Sequence, residues 1–231
     1  MVAGPPSYIF CFGILLITYG VLAVMDINHL TQEKHCDGVF LPDRKVPESV
    51  IDELCSLACM RLSSHIFLPW HFIVASTAIA KSRINQVLRQ CSPAMAGLID
   101  NASHLIVLCE RPMPVQLAHE TIPEQEASGL AVGDTTFRAS ILPLQDPDWD
   151  ERDWAERQIY IALGSLLLGA ATLGIDTFTV DMFDARLLDE ELELFELGLT
   201  SSVIVAVGYH GNCHRCFSTT FLPPDIIMTR L

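Results

Sequence analysis

The sequence predicts a mixed α and β domain, and three observations carry that expectation. Short β-branched runs at 71–76, 104–109 and 201–209 are separated by stretches whose apolar residues recur at helical spacing. Half of the 231 residues are apolar, so the chain is long and apolar enough to bury a full core. No internal repeat divides it.

The elements follow in order. Residues 8–25, YIFCFGILLITYGVLAVM, form an uncharged run of 18, just long enough to cross a bilayer. The preceding MVAGPPS lacks the basic residues of a signal peptide, although Val21-Leu22-Ala23 is a weak cleavage site. Two readings stand: a membrane anchor or signal, or a core helix or extension that belongs to no fold. Further on, Pro47 at a first-turn position and Val50, Ile51, Leu54, Leu57 and Ala58 predict an amphipathic helix over 47–60. Ser63-Ser64 makes a polar turn, and Pro69-Trp70-His71 leads into a strand over 71–76. His71 is expected to be a satisfied structural residue.

A helix over 78–91 sets Lys81, Arg83 and Arg89 on its wet side, and HLIVLC (104–109) is a buried strand. Residues 110–150 carry Pro112, Pro114, Pro123, Pro143 and Pro147 with little periodicity, as a long functional excursion does. The next uncharged run, 158–175, reads as a membrane span by hydropathy alone. It continues a charged helical run from Asp148, however, and holds Gly164, Ser165, Gly169, Ala170 and Ala171. Small residues at such spacing let helices approach closely, which predicts a central core or dimer helix. A strand and turn follow in DTFTVDMFD, Asp184 is placed to cap a helix over 185–197 that stops at Gly198, and 201–209 is the last strand.

Composition narrows the functions. A net charge of −14, from 28 acidic and 14 basic residues with no basic block, repels nucleic acid. The eight cysteines lack a framework spacing and read as mostly reduced and buried thiols. His210, Cys213, His214 and Cys216 crowd into seven residues; a zinc site, a disulfide or redox pair, and a plain loop all remain open.

From Met25 onward the chain resembles the bacterial oxygen-insensitive NAD(P)H nitroreductases, an FMN-dependent family. The resemblance rests on PWHFIVAST, ASHLIVLC, QIYIALGSLLLGAATLGIDT, FDARLLDEELELFELGLTSSVIVAVGYH and LPPDIIMT in the family's order. Two parts are implied, an N-terminal extension over 1–24 and a nitroreductase-like domain over 25–231. The family fold is an α+β sandwich whose central mixed or antiparallel sheet is flanked by helices. It is built as an intertwined homodimer, with FMN at the subunit interface and helix 154–173 in the dimer core. The implied activity is oxidation of NAD(P)H with reduction of a nitroaromatic, quinone or flavin acceptor, in the cytoplasm, or at a membrane if 8–25 is kept as a span.

The resemblance also implies where FMN is held. Lys34, His35 and Cys36 stand at an Arg-His-Ser motif, Ser63 and Ser64 at the family's Ser-Ser turn, and Asp181-Met182 at a Glu-Gly pair beside the ring. Other flavin positions have become apolar: Ile66 and Leu68 for Asn and Gln, Met95 and Leu98 for Asn and Lys, Thr219 and Phe221 for a phosphate-clasping Lys-x-Arg. The pocket then holds FMN by a rearranged set that adds Arg83 or Arg215, or the chain is a flavin-free, catalytically silent dimer that binds another apolar ligand or acts as an interaction protein.

Overall fold

The computed structural model describes residues 40–59, 69–111 and 151–211, together with 226, 228 and 229. Helix α1, Glu48–Ala58, starts one residue later than the spacing predicts. Pro47 holds extended angles (φ −61°, ψ 143°) and so serves as the cap. Its stripe of Ile51, Leu54 and Ala58 is buried. Strand β1, Trp70–Ala75, leads to helix α2, Ala78–Cys91, whose first free N–H groups include that of Ala80, bonded to the Thr77 hydroxyl at 3.1 Å. Helix α3, Pro93–Ile99, opens with proline at its first position, where the missing N–H costs nothing.

Strand β2, His104–Glu110, is buried along its whole length. Helix α4, Glu151–Thr172, strand β3, Asp176–Val180, helix α5, Ala185–Glu191, a 3-10 turn, Leu194–Leu197, and strand β4, Thr200–Gly208, complete the described chain. The four strands pair antiparallel in the order β1-β2-β4-β3, with an irregularity between Leu108 and Cys109.

Side chains alternate across a strand, so the two central strands feed two cores. Leu105, Val107 and Cys109 of β2, with Ile204 and Ala206 of β4, face a cluster closed by α2, α3 and α5. Ile106 and Leu108, with Val203, Val205 and Val207, face the other, closed by α1 and α4. Covered on both faces, these strands lose the polar alternation of a half-exposed sheet and read as continuous apolar runs. Each fully buried Leu or Ile stabilises the fold by about 1.5–3 kcal/mol relative to exposure.

Two expectations need correction. The helix expected over 185–197 ends at Glu191. Asp184 does cap it, accepting the Leu187 N–H at 3.2 Å, but Glu193 then adopts a left-handed conformation (φ 60°). That break turns Leu194 inward and leaves Phe195 and Leu197 exposed. Helix α3 was not foreseen: seven residues are too few to show a period. Helix α4 is a core helix as expected, and no described helix is long and apolar enough to cross a membrane. Of the four described cysteines, all of them free, Cys109 is buried as expected, whereas Cys55 and Cys59 are half-buried and Cys91 is exposed.

Candidate functional site

Antiparallel pairing brings the start of β1, the end of β2, the start of β4 and the end of β3 to one end of the sheet. Trp70 pairs with Glu110, Glu110 with Thr200, and Val180 with Ile204. Asp181 and Met182 leave β3 at this end, both exposed, Met182 at 76%. The first turn of α4 is tied here as well: Arg152 donates to the Thr200 hydroxyl at 3.3 Å, and its Nε lies 3.9 Å from Glu110 Oε2.

Buried polar atoms short of hydrogen bonds among the described residues lie at this end, on Trp70 and Glu110, and six residues along α4 from Arg152, on Gln158. Trp70 Nε1 and Gln158 Oε1 find no hydrogen bond among the described residues, although both side chains are more than nine-tenths buried. A buried donor or acceptor left alone costs about 1–3 kcal/mol, so native folds leave few. Glu110 is equally buried; its Oε1 accepts from the Ser202 hydroxyl at 2.9 Å, while Oε2 has no hydrogen bond. Burial pushes its carboxyl above the usual range. The Ser202 hydroxyl and Arg152 pull the other way, and Glu156 and Asp189 add to the rise. Tyr160 on α4 keeps its phenolic proton more tightly than usual, first through burial and then through the Asp181 and Glu156 carboxylates. Tyr160 and Asp181 therefore share one surface. Nearby, His71 Nδ1 and Arg111 Nη2 lie 3.1 Å apart, and Arg111 N–H donates to Pro69 O at 2.8 Å. Burial and then the guanidinium lower the His71 pKa, so the ring is neutral, accepts through Nδ1 and carries its hydrogen on Nε2.

Of the residues expected at a flavin, Asp181 and Met182 stand at this end, whereas Lys34, His35, Cys36, Ser63 and Ser64 lie outside the described residues. So do Cys213, His214, Cys216 and Arg215, and with them the possible metal or disulfide cluster. Arg83, offered as a phosphate ligand, is committed elsewhere: its Nε donates to Glu191 Oε1 at 2.8 Å and its Nη2 to the Glu191 carbonyl. Met95 and Leu98 pack on the α2–α3–α5 core, so that helix presents no polar group at the two positions. Trp70 was expected only as part of the Pro-Trp pair that, by resemblance, anchors the turn before β1 on the core beside the flavin, and Gln158 and Glu110 were not expected at the site. The available signal was a lone Gln opening the uncharged part of a helix and a Glu closing an apolar strand.

A cleft of about 200 Å³ runs along α2, lined by Lys81, Ser82, Asn85, Arg89 and Asp100. Its charges are spent within the chain. Lys81 Nζ donates to the carbonyls of Ala102 and Ser103 at 2.6 and 3.3 Å, and Arg89 Nη2 reaches both Asp100 oxygens at 2.6 and 2.7 Å. It ties α2 to the end of α3.

Comparison with known proteins agrees with this fold. Residues 39–209 match the nitroreductase family. The chain is 30% identical over 194 residues to the oxygen-insensitive NAD(P)H nitroreductase of Enterobacter cloacae, covering 80% of this chain and 89% of that one. Its fold matches that of Bacillus subtilis ydfN, assigned as a nitroreductase, with a TM-score of 0.75 at 15% identity over 88% of this chain and 98% of that one. A nitroreductase-like protein from Exiguobacterium sibiricum, solved in complex with FMN, superposes with a TM-score of 0.69 at 12% identity, over 89% and 97% of the two chains. The chain is an oxidoreductase of α+β fold that belongs to the nitroreductase family.

Proposed function

We propose that residues 25–231 form an FMN-dependent NAD(P)H oxidoreductase that reduces nitroaromatics, quinones or flavins at the β3 end of the sheet. The observation that carries this reading is a pair of buried groups without a hydrogen bond among the described residues, Trp70 Nε1–H at the end where Asp181 and Met182 lie and Gln158 Oε1 on the N-terminal half of α4. They suit a flat heteroaromatic ligand that brings both an N–H and an acceptor, as the isoalloxazine ring does. When bound, FMN supplies the hydride and electron chemistry.

The chain's own residues bind, orient and shield. Gln158 accepts from the ring edge, and Trp70 donates to it. Lys34, His35, Cys36, Ser63 and Ser64 are the proposed remainder of the cradle, with Lys34 the main cation for the phosphate dianion. Tyr160 and Met182 offer an apolar floor for a flat acceptor. A homodimer completes the site: Tyr160, Ile161, Gly164 and Leu168 form an exposed stripe along α4, and such a face is covered by a second copy in an isologous pair. The cytoplasm is the proposed setting.

A flavin-free member is the competing reading, favoured by the apolar Met95 and Leu98 of α3. Purifying the chain decides between them. A yellow protein that oxidises NAD(P)H in the presence of a quinone supports the enzyme. A colourless protein that takes up no added FMN supports the silent dimer.

A further inference from the structure

Glu110 is left unused by that reading, and its surroundings suit a definite task. It closes β2 with its side chain more than nine-tenths buried and one carboxyl oxygen without a hydrogen bond. Arg152 and Glu156 of α4, Asp189 of α5, Ser202 and Thr200 of β4, and Trp70 of β1 surround it. Burial dominates, so the carboxyl keeps its proton more tightly than an exposed glutamate does.

One strand separates Glu110 from the end of β3. Strands lie about 4.8 Å apart, so β2 and β3 are roughly 10 Å apart with β4 between them. On β4, Ser202 donates to Glu110 Oε1 at 2.9 Å. The pairing of β3 on β4 ends at Val180–Ile204, two residues along β4 from Ser202, and Asp181-Met182 leaves the strand there. A hydroxyl therefore stands between the buried acid and the β3 end of the site.

We propose that Glu110 is a proton reservoir, with Ser202 as its relay, for the reduction of acceptors at the β3 end of the sheet; this rests on the oxidoreductase reading above. Reduction of a quinone to its hydroquinone takes up a hydride, which is two electrons and one proton, and one further proton. That proton leaves the Glu110 carboxyl. For the transfer the hydroxyl turns from the bond it makes at rest: Ser202 Oγ accepts from the protonated Glu110 Oε1 while its own hydrogen passes toward the acceptor, and the resulting carboxylate recovers a proton from water. The hydride derives from NAD(P)H, so atoms and electrons balance without another reagent.

The test compares the full chain with its E110Q and S202A variants, loaded with FMN and driven by NAD(P)H, on two acceptors. A quinone needs the proton; ferricyanide accepts one electron and none. The ratio of quinone to ferricyanide turnover should fall by about 10²-fold or more in both variants, within the usual span for a lost general acid. Unliganded protein gives an independent readout. Because the folded pKa is raised, the stability that Glu110 contributes is fully present below the ordinary carboxylate range and is lost as pH rises through the folded value. The urea midpoint of E110Q should therefore gain on that of the wild type as pH rises. An unchanged ratio of the two turnovers, or a midpoint difference independent of pH, overturns the proton reservoir. A wild type that binds FMN yet reduces neither acceptor refutes the oxidoreductase reading, and the reservoir with it.

Discussion

The two ends of the sheet solve the same problem in opposite ways. At the end opposite the candidate site, the start of β2 is locked by its own polar groups. Ser103 Oγ accepts the Val46 N–H at 2.7 Å and lies 3.0 Å from His104 Nδ1, while His104 Nε2 lies 3.1 Å from Glu48 Oε1. These contacts fix one consistent arrangement: the serine donates to Nδ1, and Nε2–H donates to Glu48. Ser, His and Glu in a row suggest a nucleophilic triad, but Ser103 is 1% exposed and already engaged. Beside it, Asp176 Oδ2 accepts the His210 backbone N–H at 2.9 Å and stands 2.7 Å from His210 Nδ1. Among the described residues the site end leaves Trp70 Nε1, Gln158 Oε1 and Glu110 Oε2 without hydrogen bonds, whereas at the opposite end His210 Nδ1, also short of hydrogen-bond geometry, still faces Asp176 Oδ2 at 2.7 Å. Polar groups satisfied within the chain stabilise it; those left over suit something that arrives from outside.

Breaking the locked end should have the largest effect. Replacing His104 by Ala removes a buried ring and strands Ser103, and about 2–4 kcal/mol of stability should be lost in urea unfolding. At the site end the sign reverses. Gln158→Leu removes an unmatched buried acceptor, so the unliganded protein should become about 1 kcal/mol more stable while flavin binding weakens. A loss of stability there as large as at His104 would erase the contrast. The smallest effect belongs to neither end. Glu193 holds a left-handed conformation that glycine adopts freely, and Glu193→Gly should raise stability by up to about 1 kcal/mol in the same assay.

Much of the architecture was legible because burial leaves a period. The spacing of Ile51, Leu54 and Ala58 marked α1, and the apolar runs marked β2 and β4. The break at Glu193 was hidden, because EELELFEL carries no residue that forbids a helix. What forces the turn is the burial of Leu194 against the α2–α3–α5 core. Asp181 and Met182 were legible only through family resemblance. Trp70 was legible only as the anchor of a strand start, and Gln158 and Glu110 only faintly, since what distinguishes all three is a missing partner, and that exists only once the chain is folded.

The central claim is that the unmatched end of the sheet holds a flavin. Titrating FMN into the unliganded chain and following flavin fluorescence tests it most directly. Saturable binding is expected, weakened at least about tenfold by Gln158→Leu, and by about one to two decades when Lys34→Ala removes a charge-assisted contact to the phosphate. Binding indifferent to both substitutions would place the flavin elsewhere, and no binding at all would contradict the account.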